Sequence, residues 1–204
     1  TAVSPASLPG LISSGESAGH PDNRRRCVKS ICAVDGVSAW GIKEGKYGLA
    51  LIRASGTAAG VFTANLVRAP PVSLMEERIR SGHLDAVIVN SGCANAYTGK
   101  RGYQDAVRMG EIAASALAIS PESVGIASTG VIGRYLDLPL IEDQCGRVAP
   151  LLSRSREAEE RSARAIMTTD LFEKHAMVRG DGFTVGGITK GSGMIAPNMG
   201  TMLA

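Results

Sequence analysis

Aromatic side chains are scarce in this sequence, only 4% of 204 residues. Proteins that hold single-stranded nucleic acid stack its bases on aromatic platforms, so the scarcity argues against a nucleic-acid partner. Cysteine is sparse too. Cys27, Cys32, Cys93 and Cys145 form no Cys-x-x-Cys pair, and His20, His83 and His175 are scattered. That pattern excludes the usual spacing of a structural zinc site. Four cysteines in a chain of this length do not make a disulfide scaffold, so free thiols in a reducing compartment are expected, with no metal. No apolar run approaches the roughly 18 residues of a membrane span, and no membrane association is expected. A charge excess of one sign is also missing: 22 basic against 19 acidic residues give +3. Arg24-Arg25-Arg26 is the one dense run and reads as a solvated tail.

What is present is a globular composition, 44% apolar and 20% charged, with 25 glycines for tight turns. Residues 1–26 are rich in Ser, Pro and Gly without apolar period, and read as a loosely ordered arm. The Ser- and Arg-containing start resembles a transit remnant in composition, but Glu16 and Asp22 argue against one. The sequence opens on Thr1 rather than Met and stops within an apolar run (Met194, Ile195, Met199, Met202, Leu203) that needs a cover. The apolar end suggests one part of a larger folded unit, and the Thr1 start suggests that an upstream segment has been lost.

Between these ends, strand-like runs appear at Val28–Val34, Trp40–Lys43, Gly48–Ala54, Ala58–Thr63, Ala86–Val89, Val124–Ala127 and Phe183–Thr189. Pro70-Pro71 ends regular pairing after the fourth. Helices are expected over Val72–Arg80, over Gln104–Ala118 with its stripe of small residues, from Leu138 to Leu152, and over Ser155–Ile166. Asp137 is a natural N-cap for the third. Strands and helices intermingle, so the class is α/β or mixed α+β.

Three small polar loops follow apolar strands: Asn90–Asn95, Ser128–Gly130 and Lys190–Gly193. Such loops commonly carry sites. Phosphate cradling is weakly supported, because none has the Walker spacing or follows a strand as Gly-x-Gly-x-x-Gly. Nucleophilic catalysis by threonine is the alternative. A Thr hydroxyl needs an adjoining base, and a freed α-amino group on the same residue supplies one. Cleavage between Gly200 and Thr201 would create it, and glycine before the nucleophile permits the strained angles of an N-to-O acyl shift. Thr129 with the Gly130 amide would then serve as an oxyanion hole. Read without further context, Gly200-Thr201 and Ser128-Thr129-Gly130 are plain turns, Thr168-Thr169-Asp170 ends a helix, Lys190 is a surface lysine, and Cys93 is a small packing residue.

Six segments shift that balance: Gly41-Ile42-Lys43, Gly60 to Asn65, Asn90 to Ala96, Ser128 to Gly133, Ala165 to Asp170, and Lys190 to Leu203. In this order they resemble the N-terminal (α) part of the ornithine acetyltransferases, also called glutamate N-acetyltransferases or the ArgJ family. The resemblance covers nearly everything after residue 40. It implies a layered sandwich of sheets and helices of the ArgJ/DmpA-like type, with residues 27–200 as the α-chain domain and 201–204 as the start of a β chain that completes it.

It further implies a precursor that cuts itself before Thr201, which becomes the N-terminal nucleophile. Acetyl passes from N-acetylornithine to Thr201 and on to glutamate, with acetyl-CoA as a second donor in a bifunctional enzyme and no bound cofactor. Thr129 and Gly130 match the oxyanion-stabilising pair, and Thr168, Lys190 and Thr201 match substrate-binding positions. The β chain from the same precursor is the implied partner, in a heterotetramer located in the cytoplasm, or in an organelle in a eukaryote. Two departures stand out: Gly200 replaces the usual alanine, and the sequence runs four residues beyond the expected cut. A related-fold aminopeptidase that passes the acyl group to water, and an unprocessed precursor that only binds acylated amino acids, are the rival readings.

Overall fold

A computed structural model describes residues 30–193 and 201–204. The proposed N-terminal arm, Cys27, and the stretch from Met194 through Gly200 lie outside the described residues. Among the described residues, six strands and four α-helices follow in the order β1 (Ser38–Glu44), β2 (Tyr47–Thr57), α1 (Pro70–Arg78), β3 (His83–Cys93), α2 (Gly99–Leu117), β4 (Val124–Val131), α3 (Leu138–Val148), α4 (Arg156–Ala165), β5 (Lys174–Gly180) and β6 (Phe183–Thr189). The fold is mixed α+β. A four-stranded sheet has the order β1-β2-β3-β4, and β5-β6 forms a separate hairpin. The pairs β1-β2 and β2-β3 are antiparallel, whereas β3-β4 is parallel. A parallel pair needs a long crossover, which α2 provides.

Strand alternation sends neighbouring residues to opposite sheet faces, and here both faces are covered. Leu49, Leu51, Ile88, Val124 and Ile126 meet Leu74 of α1, Met109 and Ala113 of α2, and Ile141 and Cys145 of α3. Ala50 and Val89 face the other way, against Ala165 and Ile166 at the end of α4, with Ile188 of β6 and Leu203 packed alongside. Small residues let α4 lie directly on this second face. A Cβ on Gly41 would stand 2.6 Å from the Arg161 carbonyl oxygen, and one on Gly48 2.3 Å from that of Ala165.

Helix starts follow local chemistry. Asp137 caps α3 by accepting from the Leu140 amide at 3.2 Å, as its position suggests, and Ser155 caps α4 by accepting from the Ala158 amide at 3.1 Å. Pro70 and Pro71 open α1, where a missing N–H costs nothing.

Four expectations need correction. Ala58–Thr63 is not a strand: Val61 is fully exposed, and no strand pairs with this stretch. Its apolar character mimicked a strand that has no sheet edge to join. Ile31–Ala33 is a short 3-10 turn rather than part of a strand. The Asn90–Asn95 and Ser128–Gly130 loops are in large part strand, because β3 and β4 continue pairing through Ser91↔Thr129 and Gly92↔Gly130. Finally β5 went unread. Its exposed alternate positions include Ala176 and Val178, so the outward face is apolar and the usual contrast is lost.

Candidate active site

The candidate residues converge on one ammonium. Lys190 directly follows β6, and only 3% of it is exposed. Its Nζ donates to Thr129 Oγ1 at 3.1 Å, Thr168 Oγ1 at 2.8 Å and the Thr201 carbonyl oxygen at 3.0 Å. Thr129 is carried by β4, Thr168 by the turn after α4, and Thr201 by the C-terminal stretch. Four sequence-predicted positions from separate segments thus share one hydrogen-bond shell. Gly200 lies outside the described residues.

The backbone places Thr201 independently of that ammonium. Lys190 and Leu203 form an antiparallel bridge, with amide-to-carbonyl distances of 2.9 and 3.2 Å, and Thr189 Oγ1 donates to the Leu203 carbonyl at 2.8 Å. Thr201 is exposed. On the opposite side, Thr129 is 1% exposed. Its oxygen accepts from Lys190, which leaves its own O–H proton to donate elsewhere. Gly130 adopts φ +132°, and a Cβ there would lie 2.4 Å from the Gly92 carbonyl carbon and 2.6 Å from the Cys93 nitrogen. Only glycine allows β3 and β4 to approach so closely with this backbone.

No carboxylate bonds Lys190 directly among the described residues. Burial therefore dominates and pulls its pKa down from the ordinary 10.5, opposed by the Asp170 charge and aided by that of Lys174. Asp170 staples the two turns that flank the site. It accepts from the Gly191 amide at 2.8 Å and the Thr168 amide at 3.4 Å, and pairs with Lys174. Burial pushes its carboxyl upward, but those donors outweigh it and the net displacement is downward. Ser192 Oγ donates to the Thr169 carbonyl at 2.9 Å, and Thr169 Oγ1 accepts from the Gly193 amide at 3.2 Å.

Residue reasoning missed Asp170, Ser91 and Lys43 as supports of this cluster. Lys43 Nζ donates to Ser91 Oγ at 2.7 Å and to the Met167 carbonyl at 2.6 Å. The available signal was that Lys43, Ser91 and Asp170 all fall within the matched segments. Cys93 is not poised as a nucleophile. It is buried, donates to the Arg134 and Tyr135 carbonyls, and burial pushes its pKa up.

Two hollows lie elsewhere. One is lined by Tyr47, Asn90, Cys93, Arg134 and Gln144, and the other by Arg68, Tyr97, Lys100 and Tyr103. Neither is lined by Lys190, Thr168 or Thr201. Convergent polar chemistry, rather than the size of a hollow, singles out the Lys190 cluster. Among the described residues no three His, Cys, Asp or Glu side chains gather at metal-binding spacing, and no helix is long and apolar enough to cross a membrane.

Residues 34–204 match the family model described as the ArgJ family. The chain is 55% identical over 175 residues to a glutamate N-acetyltransferase of Methanosarcina mazei, covering 85% of this chain and 44% of that protein. It is 51% identical over 173 residues to an arginine biosynthesis bifunctional protein ArgJ of Archaeoglobus fulgidus, covering 85% and 45%. It thus spans about half the length of the curated relatives it matches. Among solved structures, ornithine acetyltransferase complexed with ornithine from Mycobacterium tuberculosis superposes with a TM-score of 0.79 at 34% identity, covering 86% of this chain and 96% of that one. The ArgJ of Bacillus halodurans gives 0.75 at 37%, covering 85% and 94%. With a family model spanning most of its length and solved relatives sharing its layers, this chain belongs to the ArgJ family.

Proposed function

We propose that this chain supplies the α portion of a self-processing acetyltransferase of arginine biosynthesis, which moves acetyl from N-acetylornithine to glutamate through Thr201. Support comes first from the Lys190 ammonium, which holds Thr129, Thr168 and the Thr201 main chain together. Two relatives, a glutamate N-acetyltransferase and an ornithine acetyltransferase complexed with ornithine, supply the substrate class.

In processing, the Thr201 hydroxyl attacks the Gly200 carbonyl carbon and the peptide C–N bond breaks, leaving an ester and a free α-amine on Thr201. Water hydrolyses the ester, so the α chain ends as a Gly200 carboxylate and the Thr201 hydroxyl is restored. The new amine then takes the hydroxyl proton as oxygen attacks the acetyl carbonyl of N-acetylornithine. Negative charge develops on the acetyl oxygen, where the Thr129 O–H and the Gly130 N–H donate. The C–N bond breaks, ornithine leaves with the proton, and acetyl stays on Thr201 as an ester. The amine of glutamate attacks that ester, the acetyl–Oγ bond breaks, and the amine's proton passes through the Thr201 α-amine to restore the hydroxyl as N-acetylglutamate departs. Lys190 and Thr168 bind the substrate, with Lys190 offering charge to its carboxylate.

The β chain from the same precursor completes the site, in a cytoplasmic heterotetramer without bound cofactor, and acetyl-CoA is a second acetyl donor in a bifunctional enzyme. Incubating the complete gene product with acetyl-labelled N-acetylornithine and glutamate tests the reading. Label in N-acetylglutamate is expected, and Thr201→Ala abolishes it. Label released as acetate regardless of glutamate would favour the hydrolase, and binding without turnover would favour a passive precursor.

A further inference from the structure

We propose that Lys43 is a positioning residue for acetyl transfer: it fixes the Met167–Thr168 peptide, and so the hydroxyl that faces Lys190. This inference rests on the acetyl-transfer reading above.

Lys43 lies near the end of β1, and no carboxylate pairs with it among the described residues. Its ammonium instead has three neutral acceptors: Ser91 Oγ at 2.7 Å, the Met167 carbonyl at 2.6 Å and the Lys46 carbonyl at 3.3 Å. The residue as a whole is exposed, yet its ammonium is engaged by three protein acceptors. A lysine kept for solubility would leave its ammonium in water, and one kept for packing along its stem needs no charge.

Two of the contacts bear on the segment that leaves α4. Ser91 Oγ donates to the Ala165 carbonyl at 2.6 Å, one of the carbonyls left unpaired at a helix C-terminus. Lys43 takes the Met167 carbonyl two residues later. Gly48 leaves room for this arrangement, since its absent Cβ would overlap Ala165 oxygen. The chain between Ala165 and Met167 is thus tied to the sheet at both ends, and Thr168 is the next residue. Its Oγ1 meets Lys190 Nζ at 2.8 Å. Burial of the ammonium and the nearby Lys190 charge both lower the Lys43 pKa, as expected for two cations flanking one short peptide segment. Without the charged donor the Met167 carbonyl turns to water and Thr168 loses its fixed height over the site. Misplacement by about 1 Å can reduce rate by roughly 100-fold.

The test compares the wild type, Lys43→Met and Lys43→Arg in the complete gene product. Lys43→Met should raise KM for N-acetylornithine and lower kcat/KM by roughly 10- to 100-fold, with the melting temperature little changed. Lys43→Arg keeps a charged donor and should restore part of that loss. Wild-type kinetics in Lys43→Met would overturn the proposal, as would a loss that tracks a lowered melting temperature and is not relieved by arginine. If Lys43→Met fails to fold, Lys43→Gln against Lys43→Arg gives the same comparison. If the wild type transfers no acetyl, the parent reading has failed, and a crystal structure of the variant still decides the positioning claim. Thr168 Oγ1 displaced from Lys190 Nζ supports it, and an unmoved Thr168 overturns it.

Discussion

At the residue scale, Thr129 and Gly130 do different work within one strand end. The Thr129 hydroxyl accepts from a buried ammonium, so Thr129→Val preserves shape but removes an acceptor from Lys190. An unsatisfied buried donor costs about 1–3 kcal/mol, and in the proposed mechanism loss of Thr129 as an oxyanion donor lowers kcat about 100- to 1000-fold. Thermal denaturation and the transfer assay should show both effects, with Thr129→Ser recovering most of each. Gly130→Ala fails for a different reason. At φ +132° an alanine is strained, and its methyl would overlap the β3 backbone, so a loss of stability of about 1–3 kcal/mol is expected from the backbone alone. A Gly130→Ala melting temperature equal to that of the wild type would refute this account of the strand contact. From residue types alone, Ser128-Thr129-Gly130 reads as a turn. Its burial and its contact with Lys190, 61 positions away, depend on sheet pairing that local sequence does not encode. The residue pattern alone offers Thr129 and Gly130 as an oxyanion pair beside the plain turn, and the family resemblance shifts that balance.

At the scale of elements, the strongly patterned segments were legible and the weakly patterned ones were not. The α3 and α4 helices carry side-chain caps, α3 has an apolar stripe as well, and β6 begins and ends where its pattern suggests. The β5 strand exposes apolar residues, and Ala58–Thr63 is apolar without a pairing partner, so in both cases burial and hydropathy part company. A tie between β1 and α3 gives a pH prediction. Arg147 donates to both Glu44 carboxylate oxygens at 2.9 Å, and Gln144 donates at 2.9 Å. Arg147 foremost, then Gln144, lowers the Glu44 pKa from 4.5 to about 2. A carboxylate lowered on folding adds stability that is fully present above its unfolded value and lost as pH falls through the folded one. The melting-temperature gap between the wild type and Arg147→Ala should therefore be constant above about pH 5 and close as pH falls towards 2. For α4, Ser155→Ala removes the cap on the Ala158 amide and should cost about 1 kcal/mol in a denaturant titration.

At the scale of the molecule, the outward side of the β5-β6 hairpin is uncovered among the described residues. Val178, Phe183 and Val185 of the β5-β6 hairpin stand 65%, 59% and 60% exposed. A two-stranded hairpin is marginal by itself, and an apolar surface of this kind calls for a partner. The curated relatives are about twice as long, and in the proposed enzyme the β chain provides that cover. The central claim is that Thr201 becomes the acyl-carrying nucleophile of that larger assembly. Its most direct test is intact mass and peptide mapping of the complete gene product after brief exposure to N-acetylornithine without acceptor. The account predicts two chains separated between Gly200 and Thr201, with one acetyl mass increment on the Thr201 hydroxyl that glutamate removes. An uncut chain, or acetyl carried on another residue, would contradict it.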